Sequence, residues 1–122
     1  MKKMILIAAL LLSAPASANT LDFISSKLKQ GCTFSTYMSI TKEFNDTWGK
    51  AHGYNVQLML PVHGTDTGLV IWVGTTASAE AFGKAWDVWR RALANPKSTE
   101  AKLQARFDAC TTQISRASYD TY

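Results

Sequence analysis

The segment Gly68–Arg91 limits the fold more than any other stretch of this chain. An apolar run, Leu69-Val-Ile-Trp-Val73, lies between Gly68 and Gly74. It leads almost directly into a segment that places Phe82, Trp86, Trp89 and Leu93 at steps of four, three and four. The first half has the composition of a short buried strand and the second the stripe of an amphipathic helix. A strand followed at once by a helix needs a sheet layer and a helix layer to bury both apolar surfaces, so the rest of the chain must complete those layers. Alternation divides the strand into two faces. Ile71 and Val73 are expected beneath the helices, and Trp72 on the opposite face, toward a partner sheet or a ligand.

The flanking sequence supplies the missing elements. Leu21–Lys29 alternates, with Leu21 and Phe23 on one side, and reads as a first strand ending at Gln30-Gly31. Thr33 is a good N-cap for a helix that carries Phe34, Tyr37, Thr41, Phe44, Trp48 and Ala51, and this helix should stop between Gly49 and Gly53. Tyr54–Val62 alternates again, with Val56, Leu58, Leu60 and Val62 on one face. Pro61, which has no amide proton, marks an edge, a bulge or the strand's end. The turn-forming run His63–Gly68 makes a hairpin with the Leu69–Val73 strand. Thr76 or Ser78 caps the next helix, in which Gly83 costs about 1 kcal/mol relative to Ala and suggests the close approach of another backbone. Ser98 caps a helix over Thr99–Cys110 with Leu103, Phe107 and Cys110 on one face, and Thr111–Tyr122 is the last strand. The class is α+β: a ferredoxin-like β-α-β-β-α-(α)-β order, with an antiparallel sheet covered by helices on one face.

The first 18 residues are read apart from this domain. Lys2 and Lys3 precede the apolar run Met4–Leu12 and the small residues Ala16-Ser17-Ala18, the pattern of a secretory signal peptide. The run is shorter than the roughly 20 residues of a membrane-spanning helix. Residues 19–122 are therefore expected as a single exported domain, periplasmic or secreted from a bacterium, with no stable membrane anchor once the signal is removed. Half of the formal charge of +4 leaves with Lys2 and Lys3, and no basic cluster beyond Arg90-Arg91 remains, which argues against nucleic-acid binding. Cys32 and Cys110 permit only one intramolecular pairing, and export favours that disulfide over two free thiols.

The motifs Gly31-Cys-Thr33, Trp48-Gly-Lys50, Ile71-Trp-Val-Gly74 and Ala81-Phe-Gly-Lys-Ala-Trp-Asp-Val-Trp89 resemble those of a group of small exported bacterial proteins of unknown role. Through the element order, the chain is also similar to the dimeric α+β barrel superfamily, in which two such units pack sheet to sheet. That resemblance implies a homodimer. It leaves activity open, because such barrels include haem-degrading and quinone-forming monooxygenases, dye-type peroxidases, stress-response proteins and sequestering proteins.

Two sets of residues stand out as candidate sites. Trp48, Trp72 and Trp86, with Tyr54, offer large apolar surfaces with polar tips, suited to an aromatic-lined cleft for a small apolar or aromatic ligand. Asp87, Arg90 and Arg91 could form a polar rim. His63 beside Asp66, at the hairpin tip, could pair an imidazole with a carboxylate for acid-base work. His52, at a helix end, suits capping. The histidines and cysteines lack metal-ligand spacing, and no particular cofactor is indicated. Three functions follow: a module binding a small ligand or a protein, a cofactor-independent or haem-linked monooxygenase, or a structural dimer without a ligand.

Overall fold

The computed structural model describes residues 19–122; the expected signal peptide lies outside the described residues. The elements are β1 (Thr20–Leu28), α1 (Phe34–Phe44), a π-helical turn (Asn45–Gly49) leading into the short α2 (Lys50–His52), β2 (Asn55–Met59), β3 (Val70–Thr76), α3 (Ala79–Leu93), α4 (Thr99–Cys110) and β4 (Thr111–Asp120). The strands form one sheet in the order β2-β3-β1-β4, and every neighbouring pair is antiparallel. β3 therefore lies between β1 and β2, and the helices cover one face of the sheet.

Local chemistry accounts for the helix starts. Thr33, Ser78 and Ser98 have extended backbones, and their hydroxyls accept from the amides of Thr36, Ala81 and Ala101 at 3.0–3.1 Å. Each such cap is worth about 1 kcal/mol. Gly53, at φ +64°, ends the first helical run. Gly49 instead sits inside the π turn, where its carbonyl accepts from the Tyr54 amide at 2.9 Å. A Cβ on Gly49 would stand 2.4 Å from the Tyr54 carbonyl oxygen, so only glycine lets the chain fold back this tightly.

Several expectations are corrected. β2 stops at Met59, because Pro61 cannot donate and pairing with β3 ends at Met59 opposite Ile71. Leu60 and Val62 are consequently exposed. β3 extends beyond Gly74 through Thr75 and Thr76, which pair with Leu21 and Thr20. Among the described residues no backbone from another element approaches Gly83: a Cβ there would meet nothing outside its own helical turn within 4 Å.

The largest correction concerns the faces of β3. Trp72 is only 6% exposed and belongs to the core beneath the helices with Val70, while Ile71 and Val73 occupy the other face. Both sets are apolar, so alternation separates them without saying which is covered. The neighbours decide it. Gly74, on the face of Trp72, leaves room for a side chain from outside the strand to cross it, and the Tyr54 ring fills that room.

The core lies between the covered face of the sheet and α1, α3 and α4. Phe44 is at its centre, with ring centroids 5.0–6.2 Å from Trp72, Trp48, Trp89, Tyr54 and Phe107. At the lower end, the Cys32–Cys110 disulfide joins the β1–α1 turn to the end of α4 across 78 residues. On the far side of the sheet, Leu21, Phe23, Ile71, Val73 and Tyr119 form a mostly apolar open face, with Phe23 and Tyr119 in an edge-to-face contact. At the outer edge of β2, the Asn45 side-chain amide donates to the Val56 carbonyl and accepts from its amide, both at 2.9 Å.

Candidate functional site

A partly enclosed cavity of about 190 Å³ opens between the covered face of the sheet and the helices. α1 contributes Tyr37 and Phe44, the π turn Trp48, β3 Trp72, α3 Trp86 and Trp89, and α4 Phe107, while Tyr54 reaches in from the start of β2. Trp86 and Trp89 are three residues apart on α3, so Trp89 is buried and Trp86 stands at the edge of the stripe, half-buried. The polar part of the lining is Ser26, Gln104, Asp108, Thr111, Gln113 and Arg116.

A chain of hydrogen bonds runs behind the aromatic wall. Trp72 Nε1 donates to the Tyr54 hydroxyl at 3.0 Å, which donates to Asp22 Oδ2 at 2.6 Å. Arg116 grips the same carboxylate with two bonds, Nε to Oδ1 at 2.9 Å and Nη2 to Oδ2 at 2.7 Å. Asp22 is completely buried. An acid placed there is tolerable only because three donors meet it, and removing one partner of such a pair costs about 3–5 kcal/mol. The Arg116 guanidinium also lies 4.1 Å from the Trp86 ring centroid, a cation–π contact. Burial, then the Asp22 charge and the hydrogen bond to it, push the Tyr54 hydroxyl well above the ordinary phenol range, against smaller opposing effects of Trp72 and Arg116. Tyr54 is thus held as a donor. Burial alone would lower the Arg116 guanidinium, but its hydrogen bonds to Asp22 and the Asp22 charge reverse this and raise it.

A second line crosses the helix side. Trp89 Nε1 donates to Gln104 Oε1 at 3.1 Å, and Gln104 Nε2 donates to Asp108 Oδ1 at 2.8 Å. Trp48 differs: its buried indole N–H has no hydrogen-bond partner among the described residues. Its ring is surrounded by others, at 5.0 Å from Trp89, 5.2 Å from Phe44 and 4.4 Å from a stacked His52. An N–H among π faces keeps part of the interaction it would lose among alkyl chains.

The structure brings Trp48, Tyr54, Trp72 and Trp86 to one cavity and leaves His63 and Asp66 outside it. Those two lie in the exposed loop after β2, outside the lining of this cavity. His52 caps its helix by donating from Nδ1 to the Trp48 carbonyl at 2.9 Å. Asp87 and Arg90 pair with each other on the exposed side of α3. Asp22 and Arg116 escape a reading of the sequence. An aspartate at the inward parity of Thr20 and Ile24 was a visible signal, but its partner stands 94 residues away.

No protein-family model matches the chain, and no curated protein matches it. Solved structures do. SnoaB, a cofactor-independent oxygenase from Streptomyces nogalater, superposes with a TM-score of 0.59 at 11% identity, covering 86% of this chain and 94% of its own. The fold is ferredoxin-like. A protein of unknown function from Bacteroides thetaiotaomicron, described as a possible oxidoreductase, gives 0.57 at 10% identity over 87% of this chain and 100% of its own. A nipsnap family protein of unknown function from Agrobacterium tumefaciens gives 0.56 at 10% identity over 86% and 87%. These likenesses show the fold alone, and identities this low carry no chemistry across.

Haem, the cofactor of some such barrels, does not fit. Drug-sized ligands take roughly 300–1,000 Å³, a class to which the macrocycle belongs, against about 190 Å³ here. Neither His52 nor His63 lines the cavity to serve as an axial ligand.

Proposed function

We propose that this chain is an exported binding protein that takes a single substituted aromatic ring into the cavity between sheet and helices. The observation that carries the reading is the cavity itself, walled by Tyr37, Phe44, Trp48, Tyr54, Trp72, Trp86, Trp89 and Phe107. A dry cavity of about 150 Å³ lined by apolar side chains binds benzene, so about 190 Å³ leaves space for one ring and a small substituent. A cofactor-independent oxygenase on this fold gains less support, because Tyr54 is held protonated and the lining offers only one carboxylate, Asp108, tied to Gln104.

Export is supported by the lysine-led apolar segment before Ala18 and by the disulfide. No helix among the described residues is long and apolar enough to cross a membrane. Homodimerisation through the open face is supported by its row of Leu21, Phe23, Ile71 and Val73, with Met59 and Tyr119 about half exposed at the rim.

The test is titration of the purified protein with toluene and with indole, followed by tryptophan fluorescence and thermal midpoint. Saturable quenching and a raised midpoint, both weakened by Trp86→Ala, are the expected results. Unchanged fluorescence and midpoint up to the solubility limit of both probes would remove the ligand-binding reading and leave a structural dimer. Light scattering after size exclusion checks the dimer, which a monomer at high concentration would rule out. The mass of the protein secreted from a bacterial host checks for cleavage after Ala18.

A further inference from the structure

The geometry points to Arg116 as the specificity-determining residue of this cavity, selecting aromatic ligands that carry a carboxylate. The inference rests on the aromatic-binding reading above. Arg116 is the one cationic residue of the lining. Its Nε and Nη2 are occupied by Asp22, while its Nη1 bonds no described residue. A guanidinium is planar and carries donors on every nitrogen. The edge left over is thus a set of N–H groups at the partly exposed mouth of the cavity, about a quarter of the side chain being open to solvent, where a ligand can replace water on them.

The residue is also fixed before any ligand arrives. Asp22, fully buried and already holding the Tyr54 hydroxyl, anchors two of its nitrogens, and the Trp86 ring supports its plane at 4.1 Å. A side chain held on two sides loses little freedom on binding, so the next bond it makes adds most of its energy to affinity. Asp22 accepts three hydrogen bonds on its two oxygens and its charge is balanced by Arg116, so a ligand carboxylate meets a neutral ion pair through its N–H side. The carboxylate of the lining, Asp108, is engaged by Gln104. A flat ligand carboxylate matches the guanidinium edge and is met by charge-assisted bonds, while its ring occupies the aromatic part of the cavity.

Calorimetry with benzoate and toluene, which share a ring and differ in the acceptor, tests this. A hydrogen bond to a charged group is worth enough to make benzoate at least about tenfold tighter than toluene for the unaltered protein. In the double variant Asp22→Asn/Arg116→Gln, which keeps a neutral hydrogen-bonding pair, the ratio of benzoate to toluene affinity should fall to about one, whatever the change in ring binding common to both probes. Circular dichroism reports whether that variant folds; if it does not, Arg116→Lys replaces it, with the same loss expected because the fork geometry is gone. Equal affinities for the two probes in the unaltered protein overturn the inference and leave aromatic binding standing. So does an advantage for benzoate that survives the variants. Failure of both probes to bind removes the inference together with the reading beneath it.

Discussion

Gly74→Ala is the substitution that most directly interrogates how this cavity is built. A Cβ at residue 74 would lie 2.0 Å from the Tyr54 hydroxyl oxygen, 2.2 Å from Cζ and 2.5 Å from Cε1. No small adjustment relieves three such contacts, so the Tyr54 ring must leave. Its departure removes the bond from Trp72, worth about 1 kcal/mol, and the charge-assisted bond to Asp22, worth about 1.5–3 kcal/mol. Strain from the displaced ring adds about 1–3 kcal/mol, and the better strand propensity of Ala returns a few tenths. The net cost is about 5 kcal/mol, or a fall of roughly 2 M in the guanidinium midpoint for a domain of this size. Chemical unfolding followed by fluorescence measures it. The decisive comparison uses a second background: with Tyr54→Ala already in place, the same Gly74→Ala change should cost less than about 1 kcal/mol, because the ring it displaces is gone. Equal costs in the two backgrounds would mean that Gly74 is needed for backbone conformation, and the account of the Tyr54 crossing would be refuted.

Gly83→Ala, where an added Cβ meets nothing within 4 Å, should stabilise the protein by up to about 1 kcal/mol; a lowered thermal midpoint would contradict this. Burial pushes the Tyr37 hydroxyl up to about 12 from 10.0 and raises Tyr54 as well. The folded state thus favours the neutral phenols, and their contribution is complete below pH 10 and is lost as pH rises above it. Unfolding midpoints should fall between pH 10 and 12, and less so in Tyr37→Phe. Replacing Cys32 and Cys110 together by Ser should cost up to about 4.5 kcal/mol, as expected for a loop this long; two titratable thiols in the unreduced, denatured protein would show instead that the bridge does not form.

Much of the architecture was legible because it depends on local signals. The caps at Thr33 and Ser98, a cap at Thr76 or Ser78 that the structure assigns to Ser78, and the span of α4 follow from side chains that act within a few residues of themselves. The aromatic residues of the cavity were legible as a set, since Trp48, Tyr54, Trp72 and Trp86 are large groups with polar tips. Their orientation was not. Whether Trp72 or Ile71 lies under the helices depends on Tyr54 crossing Gly74, a contact between segments that alternation within one strand cannot encode. The same applies to Asp22 and Arg116, which become a pair only when the first and last strands lie side by side. His63 and Asp66, close along the chain, lie in the loop beyond β2 and apart from the residues of this cavity.

The clamp of Asn45 on Val56 bears on how copies of this protein can associate. Strand β2 is an outer strand, and its free backbone groups at Val56 are satisfied by a side-chain amide that mimics one residue of a neighbouring strand. An incoming chain that tried to lengthen the sheet here would have to evict Asn45 from both bonds and then start pairing beside the turn that carries Trp48. Lateral growth into a continuous ribbon is thereby discouraged on this flank.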